Sequence, residues 1–208
     1  MEKSGASLVP NKIARYLGKS SEEFTRADII KYIRDNNIEA INFRHLGGDG
    51  RLKTLNFVIT SLSQIEQILA SGERVDGSSL FSYIDSSSSD LYIVPRYRSA
   101  FVNPFSSVPA IDILCSYYTK EGQPLGSSPE NILSKAHESL KKSTGMSFEA
   151  MGELEYYVIA PKQSLYPASS QRGYQESAPF CRWESLRYEA MQYIAQCGGK
   201  IKYGHSEV

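Results

Sequence analysis

The chain has 208 residues, of which 41% are hydrophobic, so it can form a packed core in one large domain or two smaller ones. Lysine plus arginine and aspartate plus glutamate each total 23, which makes the formal net charge zero. The sequence therefore lacks the basic excess that binding to nucleic acid or to an anionic membrane requires, and we expect neither partner.

The three cysteines, Cys115, Cys181 and Cys197, show no CxxC spacing and no histidine at ligand spacing. This pattern is typical of reduced thiols in an intracellular protein. Residues 1–12 lack the basic and apolar blocks of a signal peptide, and no run of about 18 apolar residues occurs. We therefore expect a cytoplasmic protein.

Residues 1–24 are polar and are predicted to be a flexible segment, with one candidate short helix over 12–17. A firmer helix begins at Thr25, because Thr25 and Asp28 have the spacing of a capping box. It is predicted to end near Asn36. Its apolar stripe consists of Ile29, Ile30 and Ile33.

The next segment alternates apolar and polar residues on both sides of the glycine-rich turn 47–50, which predicts an antiparallel hairpin. A short helix is expected over 63–70, with Gly72 in place as its carboxyl-terminal glycine. Strands over 91–94 and 111–115 follow. Together these elements predict an α+β fold of the β-grasp type within a domain spanning 25–120.

The segment 121–127 is rich in Gly, Pro and Ser and is the predicted domain boundary. The helix after it has Ser128 as its N-cap, Pro129 at its first position and Gly145 at its end. Its predicted buried stripe consists of Ile132, Leu133, Ala136 and Leu140.

The rest of the second domain, 121–208, is predicted to contain a strand over 147–160, a long loop over 161–179, a helix over 182–196 and a strand over 200–208. The inward residues of this helix are predicted to be Leu186, Ala190, Tyr193 and Ile194.

Three short motifs carry candidate chemistry. Glu153 and Glu155 are two residues apart, so on a strand both carboxylates face one way, where they suit a divalent cation or simply solvent. The triplet 205–207 likewise places His205 and Glu207 on one face of a strand, as metal ligands or as surface residues. Asp76, followed by glycine and two serines, fits a plain turn as well as a site.

Taken in order, these motifs resemble successive landmarks of the glutamine synthetase family, and the resemblance runs from about Thr25 to the last residue. The landmarks are the segment 76–79, Ser89-Asp90, Pro95, Pro104, Asp112, the Pro129 helix, the segment 153–156, Gly173-Tyr174 and the segment 205–208.

The resemblance implies a β-grasp domain followed by the start of a catalytic domain, a partial α/β barrel that the sequence leaves truncated. It implies an ATP-dependent ligase that uses Mg²⁺ or Mn²⁺ and joins ammonia to the γ-carboxylate of glutamate through an acyl phosphate. Glu153 would contact the metal that orients the ATP phosphates, and Glu155 and Glu207 the metal that faces glutamate. Asp76, with Ser79 on its loop, would bind ammonium and help deprotonate it at the site of a neighbouring subunit in a homo-oligomer.

Three positions depart from the family pattern: Arg96 follows Pro95, Gly152 precedes Glu153, and serines follow Asp85. They leave the amine open between ammonia and the larger amines used by γ-glutamyl-amine ligases. A catalytically silent synthetase-like binding protein and a free-standing β-grasp module are further alternatives, which the retained acidic residues disfavour. We expect the 208-residue chain alone to be inactive.

Overall fold

Residues 8–162, 164–168 and 170–207 are described by the structure, which is a computed structural model. The chain divides into two units, Met1–Glu149 and Ala150–Val208. The first contains helices α1 to α5 and strands β1 to β6, and the second contains helix α6. The helices are α1 Lys12–Leu17, α2 Arg26–Asp35, α3 Leu62–Ser71, α4 Gly77–Leu80, α5 Pro129–Thr144 and α6 Glu184–Gln196. The strands are β1 Ala40–Leu46, β2 Leu52–Val58, β3 Glu73–Asp76, β4 Asp90–Pro95, β5 Phe101–Val102 and β6 Ala110–Thr119.

Within the described residues of the first unit, the sheet has the strand order β2-β1-β6-β4-β3, and β5 also pairs with β6. The central pair β1–β6 is parallel and the other pairs are antiparallel. A parallel pair needs a long crossover, and here α3 lies in the chain between the two strands. This is the predicted β-grasp arrangement.

One face of the sheet forms the hydrophobic core with the helices. Alternate residues of β1 and β6 point to this face, where Ile41, Phe43, Ile111 and Ile113 have no exposed surface. Each side chain of this size stabilises the fold by about 1.5–3 kcal/mol when it is fully buried. The helices contribute Ile29, Tyr32 and Ile33 from α2 and Ile65, Ile68 and Leu69 from α3.

The capping signals read from the sequence are present. Thr25 and Asp28 form a reciprocal capping box at the start of α2, and Lys19 pairs with Asp28 at 2.5 Å. Ser61 caps α3, and Gly72 ends it. Local side-chain chemistry therefore sets the bounds of both helices that cover the sheet.

The segment predicted to be flexible is ordered over part of its length. Residues 1–7 lie outside the described residues. Ile13 in α1 is fully buried in the core, and Asn11 caps α1 through Ile13 and Ala14 while its amide donates to Ala100 O at 3.1 Å. The candidate helix over 12–17 is therefore present, and the polar composition of 1–24 failed to indicate only that it packs into the core.

The first helix of the second predicted domain, which starts after the boundary at 121–127, has no buried face. The helix α5 starts at Pro129 as expected, but none of its residues is buried, and Ile132 and Leu133 are more than half exposed. Helix α6 likewise leaves Leu186 and Ile194 exposed. Both helices form as predicted, but the prediction that their apolar stripes are buried is wrong, because a stripe does not show whether a packing partner is present.

The predicted strands 147–160 and 200–208 form no β-ladder among the described residues, and Val208 lies outside them. A strand requires a neighbour for its backbone hydrogen bonds, and no described strand pairs with either segment. Leu154, Tyr157 and Ile159 are consequently exposed rather than packed. In the predicted loop 161–179, Gln163 and Ser169 lie outside the described residues.

The buried imidazole of His45 predicts a pH dependence of stability. His45 is 5% exposed, and its Nδ1 lies 2.6 Å from the hydroxyl of the fully buried Tyr117. Burial, with a smaller effect of the Lys53 charge, lowers the pKa of His45 below its ordinary value. The unfolded chain therefore takes up a proton near pH 6.5 that the folded chain does not.

We expect this site to contribute full stability above about pH 6.5 and to reduce the free energy of unfolding by up to about 1.4 kcal/mol per pH unit below it, down to the folded pKa. Urea unfolding at several pH values between 7.5 and 5.5 would measure the slope. The variant His45→Gln should show a shallower slope than the wild type. Equal slopes would contradict the prediction.

Candidate functional site

Asp76 lies where β3 ends and α4 begins, and its carboxylate is surrounded by serine donors. Its Oδ1 accepts hydrogen bonds from the Ser78 amide at 3.0 Å and the Ser78 hydroxyl at 2.7 Å, and its Oδ2 accepts one from the Ser79 hydroxyl at 2.7 Å. The Ser79 hydroxyl, followed by that of Ser78, holds the pKa of Asp76 far below its usual range. Asp76 is exposed, so a carboxylate that is ionised at neutral pH faces solvent at this turn.

The loop that presents Asp76 depends on Gly77, which is buried against β4. A Cβ at this position would lie 2.8 Å from Leu91 Cδ1 and 2.9 Å from Ser89 O. The Gly77 amide donates to Ser89 O at 2.7 Å. The close approach of the two backbones therefore holds the start of α4, directly after Asp76, against the segment that leads into β4.

A second cluster lies within the second unit and consists of Glu153, His205 and Glu207. Each offers one ligand atom, and these atoms all lie within 4.8 Å of one another. Within the cluster, His205 Nδ1 lies 3.4 Å from Glu207 Oε2. Two carboxylates and an imidazole meeting at this distance have the chemistry of a divalent-cation site.

The sequence-predicted residues do not all meet. Glu155 was expected beside Glu153 on one strand face, but it is not a member of the cluster. The two-residue spacing aligns side chains only on a strand, and this segment is not one. His205, which sequence reasoning weighed but did not assign to a metal, takes the third position.

The donor set fits a hard or borderline cation. Mg²⁺ prefers carboxylate oxygens, and Mn²⁺ also accepts imidazole nitrogen. Two donors on opposite sides of one Mg²⁺ lie about 4.0–4.2 Å apart, so ligand atoms within 4.8 Å of one another need to move by less than about 1 Å to bind the ion. Three protein donors fill about half of the roughly six positions that these ions use.

The segment that carries His205 and Glu207 is held by Ser206 between them. The Ser206 hydroxyl lies 2.8 Å from Gly173 O and 3.0 Å from Glu176 O, and the Gln175 amide donates to Ser206 O at 2.8 Å. The sequence indicates Gly173 as a landmark but not its contact with Ser206, because no local pattern links residues 33 positions apart.

An open cavity of about 350 Å³ adjoins the cluster in the same unit. Its lining includes His205, Ser206, Arg187, Tyr188 and Tyr203. The larger groove of the first unit, about 600 Å³ between α2 and α3, contains none of the candidate site residues. Of these two cavities, the smaller is thus the one that contains a residue of the cluster, His205.

In the described part of the chain, no helix is both long and apolar enough to span a bilayer.

Comparisons with known proteins agree on one family. Residues 37–120 match the family model described as glutamine synthetase, beta-Grasp domain. The chain is 24% identical over 191 residues to a glutamine synthetase of Clostridium saccharobutylicum, covering 89% of this chain and 42% of that protein. It is 28% identical over 216 residues to a glutamine synthetase of Azorhizobium caulinodans, covering 88% and 45%. The chain therefore spans about two fifths of the length of these relatives.

Solved structures show the same fold. A cryo-EM structure of Plasmodium falciparum glutamine synthetase aligns with a TM-score of 0.67 at 16% identity, covering 91% of this chain and 43% of that one. A structure titled apo GmaS without ligand aligns with a TM-score of 0.60 at 13% identity, covering 83% and 40%. Both alignments extend well beyond residues 37–120, so the second unit shares in the similarity.

Proposed function

We propose that the acidic residues of this chain serve an ATP-dependent glutamate–ammonia ligase. The premise is that the chain belongs to the glutamine synthetase family and corresponds to the amino-terminal part of its members. The observation that carries the proposal is the meeting of Glu153, His205 and Glu207 within 4.8 Å. These three residues come from two segments about 50 positions apart in the chain, so their meeting is a product of the fold.

In this proposal Glu153, His205 and Glu207 hold Mg²⁺ or Mn²⁺. A bound cation of this kind neutralises charge on the phosphate oxygens of ATP during phosphoryl transfer to a carboxylate. The family resemblance divides Glu153 and Glu207 between two metals and adds Glu155 to the second. In this structure Glu153 and Glu207 are close enough to share one ion, so we propose that the first cation bound takes both.

Asp76 is proposed to bind the ammonium ion in the assembled enzyme, at the site of a neighbouring subunit. Its serine hydrogen bonds support part of this role, since they keep the carboxylate ionised and a fixed negative charge attracts a small cation. The same hydrogen bonds make Asp76 a weak proton acceptor, because they lower its pKa. Concentrating the cation is therefore its better-supported task, and proton removal the lesser one.

A titration of the 208-residue chain with Mn²⁺, followed by calorimetry, tests the metal site. We expect weak binding at one site and a loss of roughly ten-fold or more in affinity for Glu153→Gln, since even an outer-shell partner of a metal is worth about that much. Glu149→Gln removes an exposed carboxylate outside the cluster and should leave the affinity unchanged. Glu155→Gln should resemble this control, because Glu155 stands outside the cluster.

Three outcomes would contradict the proposal: no binding by the wild type, equal losses for Glu149→Gln and Glu153→Gln, or tight binding at two sites. A γ-glutamyl transfer assay on the same chain should show no turnover, because the cluster supplies only about half of the ligands that the cation takes. Turnover by the chain alone would mean that these residues form a complete site.

A further inference from the structure

Ser206 lies between two of the proposed metal ligands and makes hydrogen bonds to a distant segment of the chain. Its single hydroxyl proton is shared between Gly173 O and Glu176 O, and its own carbonyl accepts the Gln175 amide. Residue 206 is thus tied to the turn 173–176 through both its side chain and its backbone.

The turn itself is ordered by further contacts. The Glu176 amide donates to Gly173 O at 3.0 Å, and Gly173 is buried. The ring of Tyr174 meets the ring of His205 edge to face, with centroids 5.1 Å apart and planes at 70°. The turn therefore contacts the 205–207 segment at two points, through its hydrogen bonds with Ser206 and through the His205 ring.

On its other side the 204–206 segment packs against α6. A Cβ on Gly204 would lie 2.6 Å from Met191 Sδ and 3.2 Å from Arg187 Cδ, so there is no free space on that side. The segment is held between α6 and the turn. With residue 206 fixed in this way, His205 and Glu207 on either side of it approach each other to 3.4 Å.

We propose that Ser206 is a positioning residue, which orders the 173–176 turn and thereby aims His205 and Glu207 at the cation. This inference rests on the proposed function, because it concerns the same metal site. It also has a converse: if the ordered turn favours metal binding, metal binding must stabilise the turn to the same extent. Arg172, exposed and next to the turn, provides a place where that stabilisation is measurable.

The experiment uses the 208-residue chain and two readouts. Electron paramagnetic resonance measures Mn²⁺ affinity, and limited trypsin digestion with mass spectrometry measures the rate of cleavage after Arg172 with and without Mn²⁺. For the wild type we expect Mn²⁺ to slow this cleavage. For Ser206→Ala we expect affinity to fall about ten-fold, as for other residues that orient ligands, and the cleavage to become faster and insensitive to Mn²⁺.

Two further variants separate positioning from simple structural damage. Ser143→Ala is the matched control, since the Ser143 hydroxyl also lies within hydrogen-bond distance of two carbonyls, Ser139 O and Leu140 O, but belongs to α5 in the first unit. It should leave both readouts at the wild-type level. Ser206→Thr retains the hydroxyl and should restore affinity and the Mn²⁺ effect on cleavage, which decides the matter if Ser206→Ala proves unfolded by circular dichroism.

The failures are distinguishable. If the wild type does not bind Mn²⁺, the proposed function fails and the positioning role fails with it. If the wild type binds Mn²⁺ and folded Ser206→Ala binds it equally well, only the role of Ser206 is overturned. A folded Ser206→Thr with the affinity of the alanine variant would overturn that role too.

Discussion

Replacing Asp112 with alanine should reduce the free energy of unfolding by about 3–5 kcal/mol, the range for breaking a buried ion pair from one side. Asp112 is 2% exposed in β6. Its carboxylate accepts hydrogen bonds from Asn42 at 2.6 Å, Asn103 at 3.0 Å and Arg44 Nε at 2.6 Å. Among the described residues, no other buried residue of the sheet has hydrogen bonds to three side chains.

The expected loss of stability is large because Arg44 and Asn42 would lose a hydrogen-bond partner when Asp112 is replaced. Without Asp112, the largely buried guanidinium of Arg44 has lost the carboxylate it pairs with, and the Asn42 amide keeps only its bond from Asn56. Desolvated groups without partners destabilise more than the lost bonds themselves. Domains of this kind are stable by about 5–15 kcal/mol, so the substitution would remove between about a fifth of that stability and all of it.

Urea unfolding followed by far-ultraviolet circular dichroism measures this difference. Asp49→Ala is the matched control, because it breaks an Asp–Lys pair that is exposed, with Lys53 at 2.7 Å. Exposed pairs contribute about 0–1 kcal/mol. A loss for Asp112→Ala no larger than that of the control would show that the polar cluster of the sheet is dispensable.

Replacing Gly72 with alanine should destabilise the chain by more than about 3 kcal/mol, the upper end for a single strained backbone residue. Gly72 has φ +71° and ψ −159°, a conformation that is essentially restricted to glycine. A Cβ there would lie 2.2 Å from Ile93 O and 2.9 Å from the carbonyl carbon. The added methyl group would collide with the backbone of β4, which cannot move without breaking its pairing with β6.

Gly50→Ala separates backbone strain from collision. Gly50 has a similar φ of +74°, but no atom lies within 4 Å of a Cβ at that position. Its substitution should therefore show only the cost of a left-handed alanine, about 1–2 kcal/mol. Urea unfolding of the two variants compares them directly, and equal losses would mean that β4 accommodates the methyl group.

The features predicted from sequence with success were local. The Thr25 and Asp28 capping box, the hairpin around 47–50 and the glycine after α3 depend on residues a few positions apart, and all are present. The sequence predicts Gly72 as the end of the helix, but it does not predict the contact with Ile93, because that contact depends on how α3 packs against the sheet.

The predictions that failed depend on contacts between residues distant in the chain. The segment 147–160 has the composition of a strand, yet pairing depends on a neighbour that composition does not reveal. At the candidate site, family landmarks brought Glu153 and Glu207 into consideration, whereas His205 as third donor and Ser206 as their support emerge only from the fold. Asp112 is one of these landmarks, and its hydrogen bonds to the buried Asn42 and to the partly buried Arg44 and Asn103 give it a structural role in the sheet.

The parallel pairing of β1 with β6 also sets the order in which the first unit can form. Asn42 and Asp112 are 70 positions apart, so closing that loop costs about 4 kcal/mol of chain entropy before any contact offsets it. At synthesis rates of about 5–20 residues per second, β1 emerges roughly 4–14 seconds ahead of its partner. During that interval the β1–β2 hairpin has one apolar face and one open edge exposed, and the nascent chain is then most vulnerable to aggregation.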